Sequence, residues 1–267
     1  MARVVIFDSG VGGLSIHQEL VRKRPDLEYV FVSDNAAFPY GTKQDEELLA
    51  RVEQVVAAIV NQCSPDLLVV ACNTASTVAL GRLREQFSIP IVGVVPAIKP
   101  ATKLTKTGKI AVLGTPATAR RSYTQQLVDE FALDCEVRLM GSSVMVELAE
   151  QKLRGMEIDV AQLAQELKQV CDFEECDTLV LACTHFPLIN NEISGILKQS
   201  NLANIENIVD SGEAIARRVD DLLPDISNPI VDSNMAGAWF TRELVAGGSL
   251  VSALKNRNLP MRGVLKL

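Results

Sequence analysis

The chain has 267 residues, which is enough for one large domain or two domains of ordinary size around a substantial core. Its net charge of −7 argues against a broad nucleic-acid-binding surface, and its composition, 48% hydrophobic but only 4% aromatic, is typical of soluble α/β proteins. No apolar stretch is long enough to span a membrane and the N-terminus lacks a secretory-signal pattern, so we expect a cytoplasmic protein that does not bind membranes.

Short apolar runs alternate with amphipathic helical stretches, a pattern typical of βαβ units in a mostly parallel sheet. The first run predicts strands near 3–8, 27–35, 66–73 and 89–95 and helices over 14–25, 44–63 and 74–87. The pattern restarts near Lys99. The second run predicts a strand, turn and helix over 108–131, a strand over 135–143, helices over 144–155 and 159–173, and a strand over 177–184.

The second run reads as an internal repeat of the first. Ser9 aligns with Thr115, and Cys72 aligns with Cys183 at nearly the same offset. We therefore predict an α/β fold of two pseudo-symmetric domains, each with a mostly parallel sheet flanked by helices, and an active site in the cleft between them. The first domain is expected to comprise residues 1–96 and 207–267, with the helix near 212–223 packing back on it, and the second to comprise residues 97–206.

Polar clusters stand where several predicted strands end, and ligands in open α/β sheets bind beyond the carboxyl ends of the strands. The clusters are Asp8-Ser9, Tyr40-Gly41, Cys72-Asn73-Thr74, Gly114-Thr115 with Thr118, and Cys183-Thr184-His185. Each half thus offers one thiol, and the pseudo-symmetry predicts that the two thiols face each other across the cleft.

A pair of thiols can act as acid and base in one site. Cys72 and Cys183 each precede a predicted helix start, where free N–H groups favour a thiolate. A thiolate on one side of a carbon and a thiol on the other can remove a proton and return one from the opposite face, which inverts the stereocentre. Either cysteine alone would more simply be a small core residue, but its repetition in matching contexts favours the chemical interpretation.

Asp8 and His185 are candidates to assist Cys72 and Cys183, respectively. Asp8 could instead be a turn or helix-capping aspartate, and His185 a structural histidine. Two helix glutamates, Glu147 and Glu150, are not distinguished by the residues alone. With two histidines and no CxxC or HExxH spacing, the chain predicts no metal site.

The glycines of "GVGG" after the first strand do not have the GxGxxG spacing of a dinucleotide site. They favour a tight turn that lets the substrate approach the backbone.

Several motifs together resemble glutamate racemases, which are cofactor-independent enzymes. The motifs are "FDSGVGGLS", "SDNAAFPYGTK", "ACNTAS", "VLGTPATARRSYTQ" and "ACTHFPLI", and the match runs from residue 3 to about residue 218. The resemblance implies a homodimeric protein that interconverts L- and D-glutamate without a cofactor and supplies D-glutamate for peptidoglycan.

The resemblance also implies roles for individual residues. Cys72 and Cys183 would be the catalytic acid/bases, and Asp8, His185 and Glu150 their auxiliary groups. The substrate-binding residues would be Asp8, Ser9, Tyr40, Gly41, Asn73, Thr74, Thr115, Thr118, Thr184 and His185. The sequence departs from the family pattern at Gly141-Ser142-Ser143, where a Cys-Pro pair is common, and at Glu147, where proline is usual.

Two alternatives remain open at this point. One is a racemase of the same superfamily that acts on aspartate or another acidic amino acid. The other is a non-catalytic protein that binds carboxylates or inhibits a cellular partner, although the presence of both thiols argues against a pure binder.

Overall fold

Two β-sheets, each covered by helices on both faces, organise the chain in the computed structural model, which describes residues 1–199, 204–223, 233–244 and 248–267. The strands are β1 Arg3–Asp8, β2 Glu28–Ser33, β3 Leu67–Val70, β4 Ile91–Gly93, β5 Lys109–Gly114, β6 Glu136–Gly141, β7 Thr178–Leu181, β8 Asn207–Val209, β9 Gly237–Phe240 and β10 Met261–Val264. The helices are α1 Leu14–Lys23, α2 Asp45–Cys63, α3 Asn73–Gln86, α4 Ile98–Leu104, α5 Pro116–Arg120, α6 Ser122–Phe131, α7 Val144–Leu153, α8 Val160–Cys171, α9 Asn190–Gln199, α10 Gly212–Leu222 and α11 Ser249–Lys255. Short 3-10 helices span Tyr40–Thr42, Phe186–Ile189 and Ser233–Met235.

The strand order of the two sheets confirms the internal repeat. The first sheet has the order β10-β9-β2-β1-β3-β4 and the second the order β6-β5-β7-β8, and the paired strands in both are parallel. The four strands β2-β1-β3-β4 therefore correspond to β6-β5-β7-β8. Cys72 stands two residues beyond the end of β3, and Cys183 two residues beyond the end of β7.

Burial on both faces explains why the strands are nearly continuous apolar runs. In β1, Val4 and Ile6 pack on one face with α1 and α10, whereas Val5 and Phe7 pack on the other with α2 and α3. In β7 the same alternation separates Leu179 from Val180. Alternate side chains thus fill two cores per sheet, which fixes the strands and the loops at their carboxyl ends.

The segment after residue 206 is divided between the two sheets. Helix α10 packs on α1 through Ile215, Ala216 and Val219, as expected. Strand β8, however, pairs with β7 in the second sheet, so its predicted place with the first sheet was wrong. The physical reason is the repeat itself, since β8 occupies beside β7 the position that β4 occupies beside β3.

Some elements lie where the sequence pattern is weak. Strands β9 and β10 extend the first sheet beyond β2, and the predicted helix after β5 is broken at Arg121, whose backbone is extended (φ −74°, ψ 140°). Helices α4 and α11 were likewise not predicted. Among the helices in the described ranges, none is both long and apolar enough to cross a membrane.

Candidate active site

The carboxyl ends of the central strands of both sheets surround one cavity of about 260 Å³. Most of the predicted site residues line it: Ser9, Tyr40, Gly41, Cys72, Asn73, Thr74, Thr115, Cys183, Thr184 and His185. Asp8, Thr118 and Glu150 are buried behind this lining. The two repeated thiols therefore reach the same space from the two halves of the chain.

Cys72 is the N-cap residue of α3, and its sulfur lies 3.6 Å from the Ser9 hydroxyl. Burial and the nearby Asp8 carboxylate raise the pKa of Cys72 to about 12. A backbone N–H of the helix, that of Ala75, acts in the opposite direction but does not offset the loss of solvation. The expectation that the helix start would favour a thiolate is therefore wrong for Cys72, which is a thiol near neutral pH.

Cys183 is paired with an imidazole. Its sulfur lies 3.8 Å from Nδ1 of His185, and Nε2 of His185 lies 3.0 Å from Oε1 of Glu150. A carboxylate only accepts hydrogen bonds, so Nε2 carries a proton. Burial lowers the pKa of His185, but its hydrogen bonds with Cys183 and Glu150 outweigh that effect and raise the pKa well above its usual value.

The backbone after Cys183 differs from the predicted helix start. A 3-10 helix begins at Phe186, with His185 as its N-cap residue, and α9 begins only at Asn190. A helix start is thus present where it was expected, but as a 3-10 helix with His185 as its N-cap residue rather than as an α-helix, and Cys183 also contacts the His185 side chain.

The structure separates the two glutamates of α7. Glu150 is buried and accepts hydrogen bonds from His185 and, at 2.9 Å, from the backbone N–H of Val11. Burial opposes its ionisation, but the hydrogen bond and charge of His185 lower the pKa of Glu150. Glu147 is exposed at the mouth of the cavity. Glu150 is thus the carboxylate that contacts His185.

Asp8 is buried next to the cavity, and its carboxylate accepts hydrogen bonds from both halves of the chain. Its carboxylate accepts the backbone N–H of Gly10 at 2.8 Å and the hydroxyl of Thr184 at 3.0 Å. Burial raises the pKa of Asp8, although the charge of His185 opposes this. In the part of the chain that the structure describes, no hydrogen bond joins Asp8 to Cys72 directly, and the charge of Asp8 acts on Cys72 by disfavouring its thiolate form.

The "GVGG" turn is close to protein side chains rather than open to the cavity. A Cβ atom on Gly10 would lie 2.5 Å from Oε1 of Glu150, and one on Gly12 would lie 2.5 Å from both Nδ1 of His185 and Oγ1 of Thr184. The predicted reason for these glycines, approach of the substrate to the backbone, is therefore wrong. They let Glu150, His185 and Thr184 of the second half pack against the first strand's loop.

One end of the cavity is rich in hydrogen-bonding groups. The hydroxyls of Thr74, Thr115 and Thr118 lie 3.0 to 3.4 Å from one another. The buried amide nitrogen of Asn73 has no hydrogen-bond partner in the structure. A buried donor without a partner costs free energy, which a carboxylate bound at this place would recover.

Tyr40 lines the cavity, but its hydroxyl bonds to Asp34 and is not available to a ligand in the cavity. That hydroxyl donates to Asp34 Oδ2 at 2.6 Å, and Arg51 binds both oxygens of the same carboxylate at 2.6 and 2.8 Å. Asp34 is fully buried. The hydrogen bond of the Tyr40 hydroxyl thus stabilises the segment that follows β2.

The cavity also has lining residues that were not predicted from the sequence, and Glu147, which was left open as an alternative to Glu150. The unpredicted residues are Phe38, Pro39, Thr42, Pro116, Arg120, Ser143 and Val146. The first three stand in "FPYGTK" beside Tyr40, so adjacency was an available signal for them. Nothing in the sequence distinguished Arg120 from Arg121, because both follow the same strand.

In the described ranges, the remaining cysteines do not line the catalytic cavity, and the acidic residues form no metal site. Cys63, Cys135, Cys171 and Cys176 lie outside the cavity lining. No group of three or more His, Cys, Asp or Glu side chains in these ranges is arranged to hold a metal ion.

Comparison with known proteins identifies related sequences over most of the chain. The profile of the family "Asp/Glu/Hydantoin racemase" matches residues 14–241. A glutamate racemase of Pectobacterium atrosepticum is 46% identical over 227 residues, which cover 85% of this chain and 78% of that protein. A glutamate racemase of Photorhabdus laumondii is 48% identical over 253 residues, covering 94% and 86%.

Solved structures show the same similarity. Escherichia coli glutamate racemase, crystallised with L-glutamate and the activator UDP-MurNAc-Ala, has a TM-score of 0.89 and 41% identity, covering 99% of this chain and 98% of that one. A glutamate racemase isoform from Bacillus anthracis has a TM-score of 0.78 and 29% identity over 97% and 96% of the two chains. The chain therefore belongs to the Asp/Glu/hydantoin racemase family, in which it is an amino-acid racemase of the glutamate racemase type.

Proposed function

We propose that the chain interconverts L- and D-glutamate by acid/base chemistry at two thiols, without a cofactor. The observation that carries this proposal is the entry of Cys72 and Cys183 into one cavity from the two halves of a repeated fold. An α-carbon held between two such groups can lose its proton to one thiolate, and the planar carbanion that results can gain a proton from the opposite thiol.

His185 and Asp8 give each sulfur a partner that can hold its proton. For the enantiomer whose α-hydrogen faces Cys183, the thiol proton passes to Nδ1 of His185, and the thiolate then removes the α-proton. Cys72, protonated because its pKa is raised, donates a proton to the other face. For the opposite enantiomer, Asp8 takes up the proton of Cys72, which its own raised pKa favours. Each turnover transfers one proton from substrate to enzyme and one from enzyme to substrate.

Glu150 is proposed to act on Cys183 through His185 rather than on the substrate. Its anionic carboxylate fixes the imidazole ring and stabilises the imidazolium that forms when Cys183 loses its proton. Asn73 and the hydroxyls of Thr74, Thr115 and Thr118 are proposed to bind a substrate carboxylate, supported by the unpartnered Asn73 amide. The bound L-glutamate of the related Escherichia coli structure supports glutamate as the substrate.

The wider role is proposed from the family resemblance. We infer that the product D-glutamate serves peptidoglycan synthesis, that the two sheets mark two domains, and that the protein forms a homodimer. Complementation of a bacterial strain that requires D-glutamate tests the first of these, and light scattering of the purified protein tests the last.

A racemisation assay tests the proposed reaction directly. The purified protein, treated with a chelator and without added pyridoxal phosphate, is expected to convert each glutamate enantiomer into the other with a kcat/KM much larger than that for aspartate. Racemisation of aspartate with equal or greater kcat/KM would contradict glutamate as the substrate, and absence of racemisation would contradict the proposed activity.

A further inference from the structure

A second cavity, of about 400 Å³, adjoins the catalytic cavity on its open side. We call it the vestibule. It shares Gly41, Thr42 and Arg120 with the catalytic cavity. Its other lining residues are Lys43, Gln44, Asp45, Thr77, Ala117, Arg121, Ser122 and Tyr123. Residues at the boundary of two adjoining cavities are well placed to contact a ligand that passes from one to the other.

The vestibule is cationic, although the whole chain carries a net charge of −7. Its lining has three cationic side chains, Lys43, Arg120 and Arg121, and one carboxylate, Asp45. Lys43 lies 2.7 Å from Glu47, and Arg121 lies 2.7 Å from Asp45, so both have a carboxylate partner. Arg120 is exposed, and no ion pair is found for it in the described ranges.

Arg120 is also the sole lysine or arginine among the described residues that line the catalytic cavity. The other ionisable groups of that lining are the two thiols, Tyr40, His185 and Glu147. A substrate with two carboxylates and one ammonium group carries a net negative charge. In the described lining of the catalytic cavity, the carboxylate of Glu147 therefore repels such a substrate, and Arg120 is the one guanidinium that attracts it.

We propose that Arg120 attracts an acidic amino acid into the vestibule by its charge. From there the substrate moves to the hydroxyl-lined end of the catalytic cavity. This inference rests on the proposed glutamate racemase function. A cleft with one sign of charge raises the local concentration of the opposite ion, and the gain falls as salt screens the field. Arg120 thus acts on substrate entry and binding rather than on proton transfer.

The contrast with Arg121 supports this assignment. Arg121 donates to Asp45 and, at 3.4 Å, to the backbone carbonyl of Thr74, so it ties α5 to α2 and α3. The N–H donors of its guanidinium are thus already hydrogen-bonded to protein acceptors. Arg120, one residue earlier, leaves its donors available to a ligand carboxylate.

The test is the salt dependence of racemisation in charge variants. Racemisation kinetics of Arg120→Gln, Arg120→Lys and wild type are measured at ionic strengths of about 0.01 M and about 1 M, where Debye lengths are about 30 and 3 Å. Arg82→Gln is the control, because Arg82 is an exposed arginine on α3 outside both cavities. Thermal unfolding of each variant verifies that it is folded.

At low ionic strength, Arg120→Gln is expected to lower kcat/KM by about 3- to 10-fold with kcat within about twofold of wild type, whereas Arg120→Lys retains most of kcat/KM. At about 1 M the difference between Arg120→Gln and wild type is expected to shrink below about twofold. Arg82→Gln should match wild type throughout.

An unchanged kcat/KM for Arg120→Gln at low ionic strength would overturn the inference, as would a loss that is confined to kcat or persists at high salt. These outcomes leave the proposed function intact, because they require an active wild-type enzyme. A wild-type protein that racemises neither glutamate enantiomer would instead contradict the proposed function itself.

Discussion

Single residues at the site are held by bonds that cross between the two halves of the repeat. The Val11 N–H binds Glu150, the Thr184 hydroxyl binds Asp8, and the Ser15 hydroxyl binds the backbone carbonyl of Thr184 at 2.9 Å. Each half thus orients a polar group of the other. The protonation of His185 and Asp8 consequently depends on how closely the halves approach.

Replacement of Gly12 tests this close approach. In Gly12→Ala the new methyl group would meet His185 and Thr184 at 2.5 Å, so the imidazole must move away from its place beside Cys183. A displacement of about 1 Å in a catalytic group costs about 10²-fold in rate, and we expect a loss of kcat of that order.

The matched control for Gly12→Ala is Gly81→Ala. Gly81 lies inside α3, and nothing stands within 4 Å of the position of a new Cβ atom. This variant should keep wild-type kcat and gain up to about 1 kcal/mol in unfolding free energy from its higher helix propensity. Equal kcat values for the two variants and wild type would contradict the packing role of Gly12.

Replacement of Glu150 tests its action through His185. In the direction of reaction in which Cys183 supplies the proton, Cys183 and His185 must together hold that proton. Because the Glu150 carboxylate raises the pKa of His185, Glu150→Gln should lower that pKa and move the alkaline limb of the kcat profile in this direction to lower pH. We also expect kcat to fall by about 10- to 10²-fold at neutral pH. The measurement is a pH–rate profile of each variant.

Glu147→Gln is the control for this profile, since Glu147 is exposed and belongs to the same helix. Its profile should keep the wild-type alkaline limb. A Glu150→Gln profile with an unshifted limb, or a shift of equal size in Glu147→Gln, would show that Glu150 does not set the protonation of His185.

At the scale of elements, the segment between β2 and α2 forms one wall of the catalytic cavity. Asp34, directly after β2, binds Tyr40, Arg51 of α2 and the hydroxyl of Thr241, which directly follows β9. One buried carboxylate therefore joins three elements. Its ion pair and hydrogen bonds lower the pKa of Asp34, although burial opposes them.

Asp34→Asn should destabilise the fold and loosen the cavity wall. Removing the charge leaves Arg51 without its buried carboxylate partner, and we expect a loss of about 1–3 kcal/mol in unfolding free energy together with a higher KM. Because the folded-state pKa of Asp34 is lowered, its stabilisation is present above the unfolded pKa and is lost as pH falls through the folded pKa. The difference from wild type should therefore shrink in acid.

Denaturant unfolding across pH measures this effect, with Asp26→Asn as its control. The Asp26 side chain is 59% exposed in its ion pair with Arg24, so its loss should cost no more than about 1 kcal/mol. A difference between Asp34→Asn and wild type that stays constant or grows as pH falls would contradict the role of the Asp34 charge.

The elements that could be predicted from the sequence are those whose pattern is local. The strands of the repeat were predicted because both faces are buried, which gives continuous apolar runs such as β1 and β7. Strands β9 and β10 could not be predicted, because each contains a glycine, most residues of β10 are exposed, and their pairing is set by the distant β2 edge.

The site was predictable where chemistry coincides with a strand end. Cys72 and Cys183 follow corresponding strands, so the repeat placed them. The groups that surround each thiol could not be predicted. The raised pKa of Cys72 comes from burial and the Asp8 charge, and Cys183 is affected by the side chain of His185 that contacts it. The contacts of Gly12 with His185 and of Asp34 with Thr241 depend likewise on residues more than a hundred positions away.

At the scale of the whole molecule, two corresponding sheets bring one thiol each to a shared cavity. In the proposed mechanism, this arrangement gives the two faces of a bound α-carbon different acid/base groups. Both halves would then be needed for each turnover, since one sulfur removes the proton while the other supplies its replacement. A single sulfur acting alone would return the proton that it had removed.

The most direct test of this two-thiol account is the position of deuterium at early conversion in D2O. The enzyme is given one glutamate enantiomer, the enantiomers are separated, and deuterium at each α-carbon is measured by mass spectrometry. We predict that the product enantiomer carries deuterium while the unreacted substrate keeps its protium, in both directions of reaction. Protium retained in the product, or deuterium appearing in the unreacted substrate as fast as in the product, would contradict proton transfer by opposed thiols at Cys72 and Cys183.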